Sequence, residues 1–258
     1  MKKIILCMCL LFQSFAFVKA QDDGQFFEKE YKFPLAINNG KCGVTGAVDF
    51  STSSMTDDIL FTNLYVWITE NIGQDKVLKM NPAAKIVSCR YYASGNTSAL
   101  NGKKNTYYFS VAFRVADMHV YITQTDLTII PALSLNKKEV GMEKYAALKK
   151  PSDQNIVNEF NDVNNSVLDG IIEFIGTNIP ESMVTNWDNI VSKRVTEGMT
   201  MTETKLALGA PQSIVEGNNE TQWIYGLSLI VYFDAGKDVD KKTGKVTTRE
   251  KKVTRILR

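Results

Sequence analysis

Of 258 residues one is a histidine, His119. A Ser-His-Asp or Cys-His system would depend on it alone, and a zinc centre rich in imidazole cannot be built from one ring. His119 falls in or beside the turn Ala116-Asp117-Met118-His119, where a solvated ring is the ordinary reading; catalysis would need reach and an orienting partner. Carboxylates are more plentiful. Asp57 with Asp58, and Asp238 with Asp240, are the nearest pairs in sequence. Glycoside hydrolysis needs two carboxylates facing each other across a cleft. Neighbours at a helix N-terminus cap the helix instead, and Asp238 and Asp240 fall in a basic loop. Gly40, Gly43 and Gly46 lack the spacing and the lysine-serine/threonine end of a phosphate loop. No catalytic, cofactor-binding or metal-binding set is expected, and no cofactor.

The first twenty residues read as a signal peptide. Lys2 and Lys3 form the charged start, residues 4–11 are apolar, and Val18-Lys19-Ala20 offers a cleavage site before Gln21. The apolar run is too short to span a bilayer. Cys7 and Cys9 are preceded by Leu6 and Met8, where lipid attachment needs a small residue, so ordinary cleavage is expected. Loss of Lys2, Lys3 and Lys19 takes the formal net charge from +2 to −1. A nucleic-acid partner, which requires a concentrated basic surface, is not expected. Cys42 and Cys89 remain. In an exported protein an even pair invites a disulfide, worth about 4 kcal/mol in the chain-entropy picture. The alternative is two buried thiols acting as small apolar residues. Without C-x-x-C spacing, redox catalysis and zinc are poor readings of either.

These residues must be held by elements that the pattern outlines. Residues 31–37 suit an edge strand because of Pro34; a turn at 38–40 and a strand over 41–50 follow. Ser54, with Asp57 and Asp58 behind it, predicts a helix start. Leu60, Leu64, Trp67, Ile68 and Ile72 then make one apolar face, with Trp67 in the core, and Gly73 ends the helix. Strands are predicted over 86–93, 106–115 and 120–130, with a polar loop over 94–105. Tyr107, Phe109, Val111 and Phe113 point one way, and Tyr108, Ser110 and Ala112 the other, as in a sheet with one covered face. A charged connector over 137–149 leads to a long helix over 153–175, with Ile156, Phe160, Val163, Val167, Ile171 and Phe174 on one side. Residues 176–181, with Pro180, mark a boundary. A helix over 182–191 follows, carrying Met183, Val184, Trp187, Ile190 and Val191.

The last third has the most informative order. Gly198 permits a tight entry, and Thr200 with Glu203 forms a T-x-x-E capping box. Leu206 and Leu208 face a core, and Gly209 and Pro211 stop the helix. After Gly217-Asn218-Asn219, residues 222–226 and 227–233 read as a β-hairpin, and residues 252–257 as a third strand. This order of G-M-T, L-G-x-P and W-x-Y resembles the SmpA/OmlA/BamE-like family. Those are outer-membrane lipoproteins of the β-barrel assembly machinery, with two helices on a three-stranded antiparallel sheet. Residues from about 30 to 175, through Tyr65-Val66-Trp67 and the 107–120 hairpin, resemble a domain of exported bacterial proteins with a fold like the TATA-box-binding protein. A shared fold does not imply DNA binding.

The expected fold class is α+β, with two domains, each a small antiparallel sheet with helices on one face. The boundaries are 1–20 for the signal peptide, 28–176 for the first domain and 182–258 for the second. Residues 237–258 carry nine basic and three acidic side chains. Lys241, Lys242, Lys245 and Arg249 could approach anionic lipid; the plainer reading is a charged hairpin that resists edge pairing. Trp223 is assigned to the core and Tyr225 to exposed contact with a partner. The expected function is that of an exported, non-enzymatic envelope protein, periplasmic or outer-membrane-associated. It would bind other envelope proteins as an interaction or scaffold module linked to outer-membrane assembly or integrity. The alternatives are a secreted carboxylate-dependent hydrolase and an inhibitor-like binder of a secreted enzyme.

Overall fold

The structure is a computed structural model. It describes residues 17–19, 33–38, 40–98, 102–134, 136–178, 180, 183–240 and 242–258. Most of the expected signal peptide, Tyr31, Asn39, part of the 94–105 loop, Ser182 and Lys241 lie outside these residues. The chain forms two compact units, one of residues 1–64 and 76–178, the other of 65–75 and 179–258. Both are α+β, and the sheets are antiparallel apart from one short parallel edge pair, Phe17–Lys19 beside Ala47–Asp49.

The strands of the first unit are β1 (Phe17–Lys19), β2 (Ala36–Asn38), β3 (Lys41–Asp49), β4 (Val77–Asn81), β5 (Ile86–Ser98), β6 (Lys104–Ala116), β7 (His119–Ile130) and β8 (Val140–Gly141). They form one sheet in the order β1-β3-β7-β6-β5-β4, with β2 paired to β3 and β8 to β7. On β6 the buried side chains are Tyr107, Phe109, Val111, Phe113 and Val115, alternating with half-buried Tyr108, Ser110 and Ala112. That period of two is what a strand with one covered face requires. Val44, Gln124, Val111 and Cys89 stand in one row across β3, β7, β6 and β5. β4 is absent from the sequence expectation; it is a five-residue edge strand with no buried side chain, so it carries no alternation to read.

The helices of this part are α1 (Asp57–Asn71), α2 (Glu143–Ala146) and α3 (Pro151–Thr177). α1 starts later than Ser54 suggested. Thr56 is its cap, with Oγ1 accepting from the Ile59 N–H at 3.3 Å. Asp57 leaves the helix to accept from the backbone N–H groups of Asp117, at 3.1 Å, and Met118, at 2.8 Å. Those two residues have φ of 53° and 60°, the geometry of a two-residue turn that matches strand twist. Leu60, Leu64 and Ile68 are buried as expected, and Phe61 and Tyr65 join them; Trp67, expected in the core, is half-buried. α3 buries Phe160, Val163, Leu168, Ile171, Ile172 and Ile175, while Ile156, Val167 and Phe174 are only half-buried. The two sets share Phe160, Val163 and Ile171, and the buried stripe lies to one side of the expected one, where Leu168, Ile172 and Ile175 fall.

In the second unit lie α4 (Trp187–Val191), α5 (Met201–Leu208), β9 (Ser213–Glu216), β10 (Thr221–Tyr225), β11 (Leu229–Phe233), β12 (Lys237–Val239), β13 (Val246–Thr248) and β14 (Val253–Leu257). The sheet has four strands, β14-β11-β10-β9, and β12 pairs with β13 as a separate ribbon. Thr221, Trp223, Val231, Phe233 and Val253 form its buried face. From Tyr65 onward α1 belongs here. The Tyr65 ring meets Trp187 edge-on at 6.0 Å, and Glu70 pairs with Lys205 at 2.6 Å.

The capping box of α5 is present, with the Glu203 N–H donating to Thr200 Oγ1 at 3.1 Å and the Thr200 N–H to Glu203 Oε2 at 3.0 Å. Glu203 does more than cap. Its Oε1 also accepts from the backbone N–H groups of Thr185, at 2.7 Å, and Asn186, at 3.0 Å. This is why the helix expected over 182–191 is reduced to Trp187–Val191: the N–H groups before Trp187 bond a carboxylate from another element.

Candidate binding surface

The chemically suggestive residues of the sequence are spread across structural duties. His119 Nδ1 lies 2.7 Å from the Asp117 carbonyl, Nε2 lies 3.8 Å from the Asp49 carboxylate, and the ring stacks on Tyr121. Asp57 holds the β6–β7 turn, and Asp58 pairs with Lys85 at 3.2 Å. Asp238 accepts from Arg249 Nε at 2.9 Å, and Asp240 accepts from the backbone N–H groups of Lys242 and Thr243. Neither sequence-adjacent pair faces itself across a cleft. Among the described residues no three His, Cys, Asp or Glu side chains are grouped to hold a metal ion.

The bridge considered between Cys42 and Cys89 is not formed; both are free and buried. β7 and β6 lie between β3 and β5. Three strand spacings of about 4.8 Å exceed the reach of a disulfide, whose Cα atoms sit within about 7 Å. Burial, with Glu143 adding to it, pushes the Cys42 thiol up to about 11. Burial pushes that of Cys89 up to about 12.

The residues expected to contact partners divide. Tyr225 is turned back: its hydroxyl donates to the Gly209 carbonyl at 3.1 Å, and burial pushes its pKa upward. Arg249 is also engaged. Its Nη2 donates to Asp234 Oδ2 at 2.7 Å and its Nε to Asp238; these bonds raise its pKa. Lys242 and Lys245 are exposed, and Lys241 lies outside the described residues.

Other residues, which the sequence reading passed over, present the open surface. β9 is the edge of its sheet and exposed along its length, with Ile214 at 52% and Val215 at 47%. The Gly217 N–H donates to Glu220 O across the turn to β10. Because hydrogen-bonded and non-bonded pairs alternate in an antiparallel ladder, the N–H groups of Ile214 and Glu216 point away from β10 to the open edge. Gln212 Oε1 accepts from the Gly226 N–H at 3.0 Å, which sets the fully exposed Leu227 beside the start of β9. On the face opposite Trp223 and Phe233, Ile224, Ile230 and Leu257 form a cross-strand row that stays partly exposed.

Another feature is a groove of about 170 Å³ lined by Val66, Glu70, Met201, Lys205, Leu206 and Trp223. A second groove of about 350 Å³, open to solvent, shares Glu70 and Lys205 with it and is also lined by Gly209 and Ala210.

No family model matches the sequence, and no curated protein matches it. In structure, the N-terminal part of the chain is similar to two solved proteins. One is a TBP-like protein from Parabacteroides distasonis, at 12% identity over 56% of this chain and 98% of that one, with a TM-score of 0.47. The other is a DUF4468 family protein from Bacteroides ovatus, at 9% identity over 56% of this chain and 91% of that one, with a TM-score of 0.43.

Proposed function

We propose that this chain is an exported, non-catalytic binding protein of the cell envelope, and that its C-terminal unit docks on another envelope protein by pairing along β9. The observation that carries the reading is the open edge: a strand with two exposed branched apolar residues and outward N–H groups is built to accept a further strand. Monomers ordinarily blunt such an edge, and here the only charged residue on β9 is Glu216, which Lys251 binds at 3.0 Å. The signal-peptide pattern supports export to the periplasm or the outer membrane. The ordered capping box, L-G-x-P stop and W-x-Y hairpin, similar to the SmpA/OmlA/BamE-like family, supports a partner connected with outer-membrane assembly or integrity.

A photo-crosslinking residue in place of Leu227, beside β9, tests this in cells. The expected result is a discrete adduct that the same residue at exposed Leu133 does not give. Ile214→Pro removes an N–H that β10 does not use, a position where an edge strand tolerates proline. It should abolish the adduct and leave the urea midpoint unchanged. Identical adducts from both positions, or an adduct indifferent to Ile214→Pro, would overturn the proposal.

A further inference from the structure

The β12–β13 ribbon has no part in the four-stranded sheet, and all six of its strand residues are exposed. Its pairs are Lys237 with Thr248, Asp238 with Thr247 and Val239 with Val246. Since side chains alternate, Lys237, Val239, Val246 and Thr248 share one face. Val239 and Val246 are 59% and 55% exposed, opposite each other next to the connecting loop. That loop carries Lys242 and Lys245, which make no ion pair among the described residues.

The acidic residues nearby are exposed but already hydrogen-bonded within the ribbon. Asp238, on the other face, is bound by Arg249, whose guanidinium also grips Asp234 through two nitrogens. The Asp240 carboxylate accepts from the N–H groups of Lys242 and Thr243, and its backbone bonds Lys245 and Gly244. The acids therefore lock the base and close the loop, while positive charge and two valines are left at the tip.

We infer that this ribbon tip docks on an anionic bilayer surface, with Val239 and Val246 entering the headgroup layer and Lys242 and Lys245 over lipid phosphates. Charge complementarity selects the partner, and the valine pair selects a bilayer over a nucleic-acid backbone, which offers an apolar tip nothing. An interfacial element needs this combination of apolar insertion and basic attraction. Arg249 acts here by fixing the ribbon rather than by touching lipid. The inference is independent of pairing at β9.

The test uses the full chain, sedimented with vesicles of phosphatidylcholine alone or with one third phosphatidylglycerol. Binding is expected only to the anionic vesicles, and it should weaken as salt rises from 0.1 to 1 M and the screening length falls from about 10 to about 3 Å. Lys242→Gln and Lys245→Gln should each reduce binding roughly fivefold, given the usual contribution of a lysine near such a surface. Val239→Ser with Val246→Ser should remove the part that survives high salt. Millimolar inorganic phosphate should not compete. Equal binding to both vesicles, wild-type binding by the double lysine variant, or equally tight binding to a single-stranded oligonucleotide would overturn the assignment. Unchanged tryptophan emission would show that each variant is folded.

Discussion

Replacing Glu203 with glutamine should cost the second unit much of its stability. The carboxylate is 1% exposed. It accepts from the N–H groups of Thr185, Asn186 and Thr200, from the Thr185 hydroxyl at 3.2 Å and from Asn186 Nδ2 at 2.8 Å. A glutamine keeps one oxygen and turns an NH2 group toward the remaining donors, so at least two charge-assisted bonds are lost. At about 1.5–3 kcal/mol each, the loss is about 3–6 kcal/mol, a large share of the 5–15 kcal/mol typical of a domain. With a urea slope of about 1.5 kcal/mol/M, the midpoint falls by about 2–4 M. The assay is simple, because Trp67, Trp187 and Trp223 all belong to the second unit, so intrinsic fluorescence follows it alone. The sign of the pH dependence also follows. Burial alone would raise the Glu203 pKa, but the hydrogen bonds from Thr185, Thr200 and Asn186 outweigh it and hold it below the ordinary carboxylate value. With the folded pKa below the unfolded one, the stabilisation is complete above about pH 4.3. It is lost as pH falls through the folded pKa. The glutamine variant should lack this acid slope. A destabilisation under 1 kcal/mol, or the same acid slope in both proteins, would refute the reasoning.

Two further outcomes follow. With thiols pushed to about 11 and about 12, Cys42 and Cys89 should resist alkylation at pH 8 in the folded chain and react once it is unfolded in urea; rapid labelling of either in the native state, read by peptide mass, would contradict their burial. Asp57→Ala removes the acceptor for two turn N–H groups, so the first unit should lose about 1–3 kcal/mol, with faster hydrogen exchange at Asp117 and Met118 as the readout.

What the sequence made legible was local. The β6–β7 hairpin could be read because alternation and a short polar turn are properties of neighbouring residues, and the Thr200–Glu203 box because its partners are three residues apart. What it hid was long-range. Met118 at φ 60° is an uncommon conformation for such a side chain, and its support comes from Asp57, sixty-one residues earlier. The apolar spacing of residues 183–191 fits a helix, yet Glu203 takes the N–H groups that would begin it. The second half of α1 belongs to a unit whose remaining residues begin at 179, which no pattern within 57–71 could announce.

The binding surface was harder to read for a related reason. Local pattern reports which side chains want burial, whereas a docking face consists of those the tertiary structure fails to bury. Trp223 and Tyr225 sit on one strand and one face, yet the sequence reading put the first in the core and the second in contact with a partner. One fills the core and the other bonds the Gly209 carbonyl. The basic C-terminal segment follows the same logic. Its charge invites a count of every lysine and arginine, but an arginine fork matches carboxylates in a way a lysine does not. Arg249 is consumed by Asp234 and Asp238. The strand pairing that consumes it also brings Val239 opposite Val246, seven residues on and across a lysine loop. The ribbon's free charge is thus smaller than composition suggests and more concentrated, and it lies beside the apolar pair that gives it a direction.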